Sequence, residues 1–340
     1  MTVTIDRALI KSLVEAWGPS GYEHEIRALI TDYVKDLADD IRVDAGGNLI
    51  CRMGSGGKKV MIAAHMDEIG MLVHHIDRHG FARFSSIGGL FPTTLNGNRV
   101  RFQNGMIGTI SMDNPLDLSP GRIPRNAEMF IDFSTGKDNG NDGGIKVGSV
   151  AALYRDYAER GDRLIAKSMD DRIGCVVAIE AMRRFKQVGS PHEVYFVFTT
   201  QEEVGTRGAR MAAEGILPDY AIALDVGTAG DLPKGEEVNS RLGYGAGVVV
   251  RDVAHIIPPA LKDLIIKRAE EAGIPYQPHV MDLGSTDASA IQYAGSGVPS
   301  AVINIPCRYV HTVSETVDIN DVQACVDLLL AVLAKPFDGV

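Results

Sequence analysis

Cysteine is scarce in this chain. Four occur among 340 residues (Cys51, Cys175, Cys307 and Cys325), none in a C-x-x-C pair. That spacing argues against a thiolate zinc site or a disulfide frame and points to reduced thiols. Apolar runs are short, none approaching the ~18 residues that a membrane span needs. The first residues mix Asp6, Arg7 and Lys11 with apolar ones and lack the layout of a secretory signal. Positive charge is in deficit: 34 Lys and Arg face 44 Asp and Glu, a net −10. Nucleic acid and anionic membranes select for basic surfaces, so neither is expected as a partner. The expectation is a soluble, cytoplasmic protein.

The length allows one large α/β domain or a main domain carrying a smaller one. From Ile5 to Ala38 the helical pattern is broken by Gly18-Pro19-Ser20-Gly21, so two helices are expected around a turn. Ile41-Arg42-Val43 and Asn48-Leu49-Ile50 flank Gly46-Gly47 as a hairpin, and Lys59 to Ala64 reads as a buried strand. Between about Val73 and Arg163 short alternating runs are punctuated by Gly88-Gly89, Asn96-Gly97, Asn104-Gly105 and the polar stretch Lys137 to Gly144. After Lys167 strand-like runs (194–198, 220–224, 248–250, 301–305) alternate with helical ones (172–184, 206–214, 258–272, 319–333). An α/β domain interrupted by a β-rich insertion accounts for this order.

Five segments stand past expected strands or in turns, where open α/β sheets present ligand-binding groups. They are Ala64-His65-Met66-Asp67-Glu68, Ser168-Met169-Asp170-Asp171-Arg172, Thr200-Gln201-Glu202-Glu203-Val204-Gly205, Leu224-Asp225-Val226-Gly227 and Arg308-Tyr309-Val310-His311-Thr312. Singly, each has an ordinary structural use: a packed histidine, a helix cap, a solvated acid pair. Together they supply two imidazoles and several carboxylates without a thiolate, the donor chemistry of zinc, cobalt or manganese hydrolases. Two metals ~3.5–4 Å apart need a shared carboxylate, further ligands and a base for the bridging water. Spacing alone leaves open whether Asp170 or Asp171 would be the shared one.

The order H-x-D, D-D-R, E-E, D, H resembles the tetrahedral aminopeptidase family of dinuclear metallopeptidases. Its members include glutamyl and leucyl aminopeptidases, and some carry an endoglucanase label. Further matching stretches are Gly21-Tyr22-Glu23, Ile87-Gly88-Gly89 and Thr286-Asp287-Ala288, so the likeness runs nearly end to end. It implies a mixed-sheet α/β/α catalytic domain (1–72 and 165–340) with an inserted β-rich, barrel-like assembly domain (73–164). It also implies two divalent metal ions per subunit: zinc or cobalt, with manganese a further candidate. By motif position His65, Asp170 and Asp225 would hold one metal, Asp170 would bridge, and Glu203 with His311 would complete the second. Glu202 would be the general base and Asp67 would brace His65. The expected substrates are short peptides with a free amino end, and the expected assembly is a dimer-based homo-oligomer, up to a tetrahedral dodecamer. Two positions depart from the family pattern: Ser285 where glycine is frequent and Tyr244 where lysine is common. A deacylase of the same clan is the main alternative. A glycosidase is disfavoured, since it needs two carboxylates flanking a sugar bond and only one tryptophan is present for stacking.

Overall fold

The structure, a computed structural model, describes residues 5–114, 123–134, 144–235, 238–337 and 339. The polar stretch that begins at Lys137 lies outside them as far as residue 143. Two helices, Arg7–Glu15 and His24–Val34, flank the Gly18–Gly21 turn, and Asp6 caps the first by accepting from the Ala8 and Leu9 amides. The Gly46-Gly47 hairpin joins the strands Asp40–Val43 and Leu49–Met53.

Four parallel strands form the centre of an eleven-stranded sheet, in the order Glu193–Thr199, Lys59–His65, Tyr220–Thr228, Ser300–Arg308. Antiparallel strands extend it on both sides, so the sheet is mixed. Lys59–His65 illustrates why its sequence reads as continuously apolar. Val60, Ile62 and Ala64 face one core, shared with the helices Met169–Val188 and Ile319–Leu333. Met61 and Ala63 face another, covered by the helix Arg207–Ile216 and the short helix Ala288–Ile291. Side chains of a strand alternate between faces, and a strand covered on both needs apolar residues at every position. The result is a three-layer α/β/α body.

Helix ends agree closely with the sequence pattern at Ile319–Leu333, Pro259–Ala272 and Arg207–Ile216. The helix expected from Arg172 begins earlier, at Met169, with non-helical backbone at Asp170 and Asp171.

The insertion is a closed six-stranded barrel whose strands run from Gly70–Ile76 to Val150–Tyr154. Its core is separate and includes Met71, Phe84, Val100, Phe102, Ile110 and Ile131. The short strand Ala158–Arg160, within 73–164, and Arg163–Ala166, which straddles its end, pair into the large sheet. Among the described residues no helix is long and apolar enough to cross a membrane.

A buried ionic cluster fastens the junction beside the barrel's first strand. Glu68 receives Lys167 Nζ at 2.6 Å and Ser168 Oγ at 2.6 Å, stands 3.6 Å from Arg172 Nη2, and accepts the Gly18 amide at 2.9 Å. All three charged side chains are at most 3% exposed. Glu68→Ala would leave two cations buried without their acid, a loss of roughly 3–5 kcal/mol. Urea denaturation should show it as a lowered midpoint with an unchanged slope; an unshifted midpoint would rule the cluster out as a structural tie.

Candidate active site

The C-terminal ends of the parallel strands converge on one cleft, as open α/β sheets favour. His65 is the last residue of its strand, and Asp225 lies within Tyr220–Thr228. Thr199 ends a third strand and leads into the Gln201–Gly205 segment. His311 follows the fourth, three residues past Arg308. Asp170 enters from the start of the helix Met169–Val188.

Asp170 lies at the middle of this group. Its Oδ1 is 2.9 Å from His65 Nε2, and its Oδ2 is 3.2 Å from His311 Nε2. Asp225 Oδ1 stands 3.9 Å from the same His65 nitrogen, and Glu203 Oε1 stands 3.3 Å from the same His311 nitrogen. Two overlapping donor sets result, His65–Asp170–Asp225 and Asp170–Glu203–His311, each with its ligand atoms within 4.8 Å of one another. Asp171 turns away and accepts the Gly174 amide at 3.0 Å. Of the adjacent aspartates, only Asp170 therefore reaches the cleft.

Both imidazoles are oriented from behind. His311 Nδ1 donates to the Gly89 carbonyl at 2.8 Å. His65 Nδ1 lies 3.2 Å from the Asp67 carbonyl and 3.5 Å from its carboxylate. Each Nε2 is thus left facing the shared aspartate, the arrangement that fixes a ligand's tautomer. Asp67, fully buried, does more than brace His65. Its carboxylate accepts the amides of Glu202 (3.0 Å) and Glu203 (3.2 Å) and the Ser20 hydroxyl (2.6 Å). The acid pair consequently sits on a turn wrapped around Asp67.

Two supporting acids have no role in the sequence reading. Glu315 is buried and accepts the backbone amides of both Asp170 (3.0 Å) and His311 (2.7 Å). Glu23 accepts the Gln201 amide at 3.1 Å, tying the first turn of the chain to the turn that carries the acid pair. Glu23 belonged to a matching stretch, but Glu315 had only its position four residues after His311 to mark it. The barrel also contributes. A Cβ on Gly88, whose φ is +75°, would meet Glu203 Oε2 at 2.9 Å, and one on Gly89 would meet His311 Nδ1 at 2.8 Å. Glycine is required at both, by conformation at the first and by close approach at both.

So many buried acids disturb one another's ionisation. Burial, with neighbouring carboxylates, pushes Glu202 and Asp225 well above the usual range, and raises Glu203. Burial also brings Asp287 to about 6 and Glu315 to about 8. Burial opposes ionisation of Asp170 too, but hydrogen bonds from His311 and His65 hold it below the normal carboxylate range. His311 loses by burial and gains more from Asp170 and Glu203, ending at about 12. Glu203 Oε1 is buried without a hydrogen-bond partner. An excess of buried carboxylates over cations, with an orphaned oxygen among them, fits divalent cations, and the histidine–carboxylate donor set suits them. The cleft in front measures about 420 Å³.

A profile of M42 glutamyl aminopeptidases matches residues 47–328. The chain belongs to that family. This M42 chain is 35% identical to the lysyl aminopeptidase of Pyrococcus furiosus over 350 residues, covering 98% of this chain and 99% of the relative. Its fold superposes on a TET aminopeptidase from a marine sediment Thaumarchaeota archaeon with a TM-score of 0.92, at 35% identity and 96% coverage of each chain. It also superposes on the Pyrococcus horikoshii TET1 peptidase, which can assemble into a tetrahedron or a large octahedral shell, with a TM-score of 0.85 and 32% identity. That match covers 96% of this chain and 98% of the other. The M42 chain is a hydrolase acting on peptide bonds, and its family is metal-dependent.

Asp67→Asn keeps the side chain's size but turns an NH₂ towards donors it formerly accepted. Outer-sphere changes of this kind cost ~10–100-fold in metal affinity or activity. Calorimetric metal titration and initial rates should register that loss while far-UV circular dichroism is unchanged. Native affinity together with a native rate would show that the turn holds its place without Asp67.

Proposed function

We propose that this chain is a dinuclear aminopeptidase that removes the first residue from short peptides with a free amino end. The observation that carries the reading is the sharing of Asp170, one oxygen turned to each of two histidines and each histidine accompanied by a further acid. His65, Asp170 and Asp225 would hold one divalent ion, and Asp170, Glu203 and His311 the other. Zinc or cobalt are the expected ions, and manganese a further candidate. Bound there, such ions supply Lewis acidity toward the scissile carbonyl and acidify water.

The chain's own residues do the rest. Glu202 lines the cleft beside Glu203, and its amide is anchored to Asp67. We assign it the proton transfer, accepting a proton at its carboxylate from the attacking water and delivering it to the leaving amine. Burial keeps its pKa high, which favours a group that must hold a proton between the two transfers. Asp67 keeps His65 oriented and the Glu202–Glu203 turn in place. Glu315 does the same for the backbone at Asp170 and His311.

The proposed division assigns 1–72 and 165–340 to catalysis and 73–164 to an insertion serving assembly. A dimer-based homo-oligomer, up to a tetrahedral dodecamer, is supported by the shell-forming P. horikoshii relative. A cytoplasmic location is supported by four buried cysteines, all free. A deacylase could use the same donor sets, so the amino end of the substrate discriminates the two. A glycosidase has little support, because the acids gather around two imidazoles.

Chelation should abolish release of the first residue from free-ended peptides, and zinc, cobalt or manganese should restore it, with acetylated peptides left intact. Cleavage of acetylated ends would transfer the assignment to a deacylase. Glu202→Gln should lower kcat by ~10²-fold or more and leave metal content and assembly native. Loss of metal from that variant, with retention in Glu203→Gln, would mean that the two acids exchange roles.

A further inference from the structure

We infer that this enzyme selects peptides whose first residue carries an uncharged, apolar side chain. The inference rests on the aminopeptidase reading above and concerns the part of the cleft beyond the proposed ligands. The acids on the cleft wall (Asp170, Glu202, Glu203 and Asp225) are all committed to the donor sets or to proton transfer. Past them the wall is built from Phe91, Val226, Leu232, Met281, Leu283 and Val310. Thr228 and Ser285 add neutral hydroxyls, and among the described residues no Lys or Arg lines the cleft.

The charged residues adjacent in sequence to Tyr309, Leu232 and Leu283 are paired with other groups. Arg308 precedes Tyr309, a residue of the cleft, but its guanidinium forms two hydrogen bonds to Asp231, at 2.8 and 2.6 Å. The same pair removes Asp231, neighbour of Leu232, as a free acid. Asp282 lies between Met281 and Leu283, yet its side chain is 79% exposed and pairs with Arg251 at 3.1 Å. An acidic first residue would need a free cation and a basic one a free acid, since an unpaired charge leaves water at large cost. Among the described residues the cleft offers neither. Apolar side chains gain instead by covering surface now open to water: Leu283 is 68% and Phe91 53% exposed at the rim. Phe91 comes from the insertion, so the barrel supplies part of the specificity wall as well as the Gly88-Gly89 support. The expected preference differs from that in the name of the family, glutamyl, and from that in the name of the P. furiosus relative, lysyl.

The test compares p-nitroanilides of Leu, Met, Phe, Glu and Lys on the metal-reconstituted full chain, with the leaving group constant. The apolar three should exceed Glu and Lys in kcat/KM by on the order of 10²-fold, the scale on which a site rejects an unpartnered polar group. A readout without turnover runs beside it: free leucine should raise the Tm of the metal-loaded protein more than glutamate or lysine does. Met281→Lys should increase the Glu/Leu ratio of kcat/KM at least ~10-fold, as a buried cation finds an acid. A native preference for Glu or Lys, or an unchanged ratio in Met281→Lys, would overturn the inference and leave the aminopeptidase standing. Silence on every anilide, with no response to free amino acids, would instead remove the aminopeptidase reading and this inference together.

Discussion

The crowding of carboxylates at one end of the sheet is the constraint on which the rest of the site depends. Asp67, Asp170, Asp171, Asp225 and Asp287 are buried there, with Glu202 and Glu203 beside them and Glu315 behind. Like charges in a medium of low polarisability repel strongly, and each also loses hydration. The chain offsets part of this with donors. Backbone amides serve Asp67, Asp171 and Glu315, and Ser20 and Thr199 donate hydroxyls to Asp67 and Asp287. Two imidazoles serve Asp170. Glu203 Oε1 stands 3.3 Å from His311 Nε2 but accepts no hydrogen bond. What is left over is negative charge facing a cleft, which is the electrostatic condition for holding divalent cations.

Holding the donors in register takes supports from three separate stretches of chain. The first turn reaches Asp67 through Ser20 and Gln201 through Glu23. The barrel reaches His311 through the Gly89 carbonyl and leaves room for Glu203 by having no side chain at Gly88. Glu315, on a strand of the large sheet, fixes the backbone of the shared aspartate and of His311. Several residues at these joints have left-handed backbone without being glycine: Ser168, Gln201, Thr206, Tyr309 and His311. Such conformations cost of order 1–3 kcal/mol each and persist where surrounding contacts over-determine them. The contacts just named do so at Gln201 and His311.

The insertion is therefore more than an addition to the catalytic body. Its core is independent, yet the segment Ile87 to Phe91 lies against the second donor set and the cleft mouth. The Glu68–Lys167–Arg172 cluster lies where the chain leaves the body for the barrel and returns from it. Gly89 holds His311 through its carbonyl, and Gly88 leaves room beside Glu203.

Much of this was legible from order and periodicity. The helix over Ile319–Leu333 and the strand starting at Lys59 follow from apolar patterning, because burial on one or both faces dictates which positions must be apolar. The residues that meet in the cleft could be named because each follows a strand or opens a helix, and their types form one coherent donor set. Other features depend on approach in three dimensions. The separation of Asp170 from Asp171 is decided by local backbone that is not helical, which no pattern of residue types encodes. The placement of Glu202 and Glu203 on a turn around Asp67 arises from hydrogen bonds between residues 135 and 136 positions apart. The Glu315 carboxylate acts on backbone amides and Gly89 acts through its backbone carbonyl, and since every residue brings such backbone groups, residue types alone do not announce either contact. By itself the sequence determined which chemistry was available and at which strand ends, since burial and donor type are properties of residues. Only the tertiary structure decided which oxygen faces which imidazole and what stands behind each, since those are properties of distance.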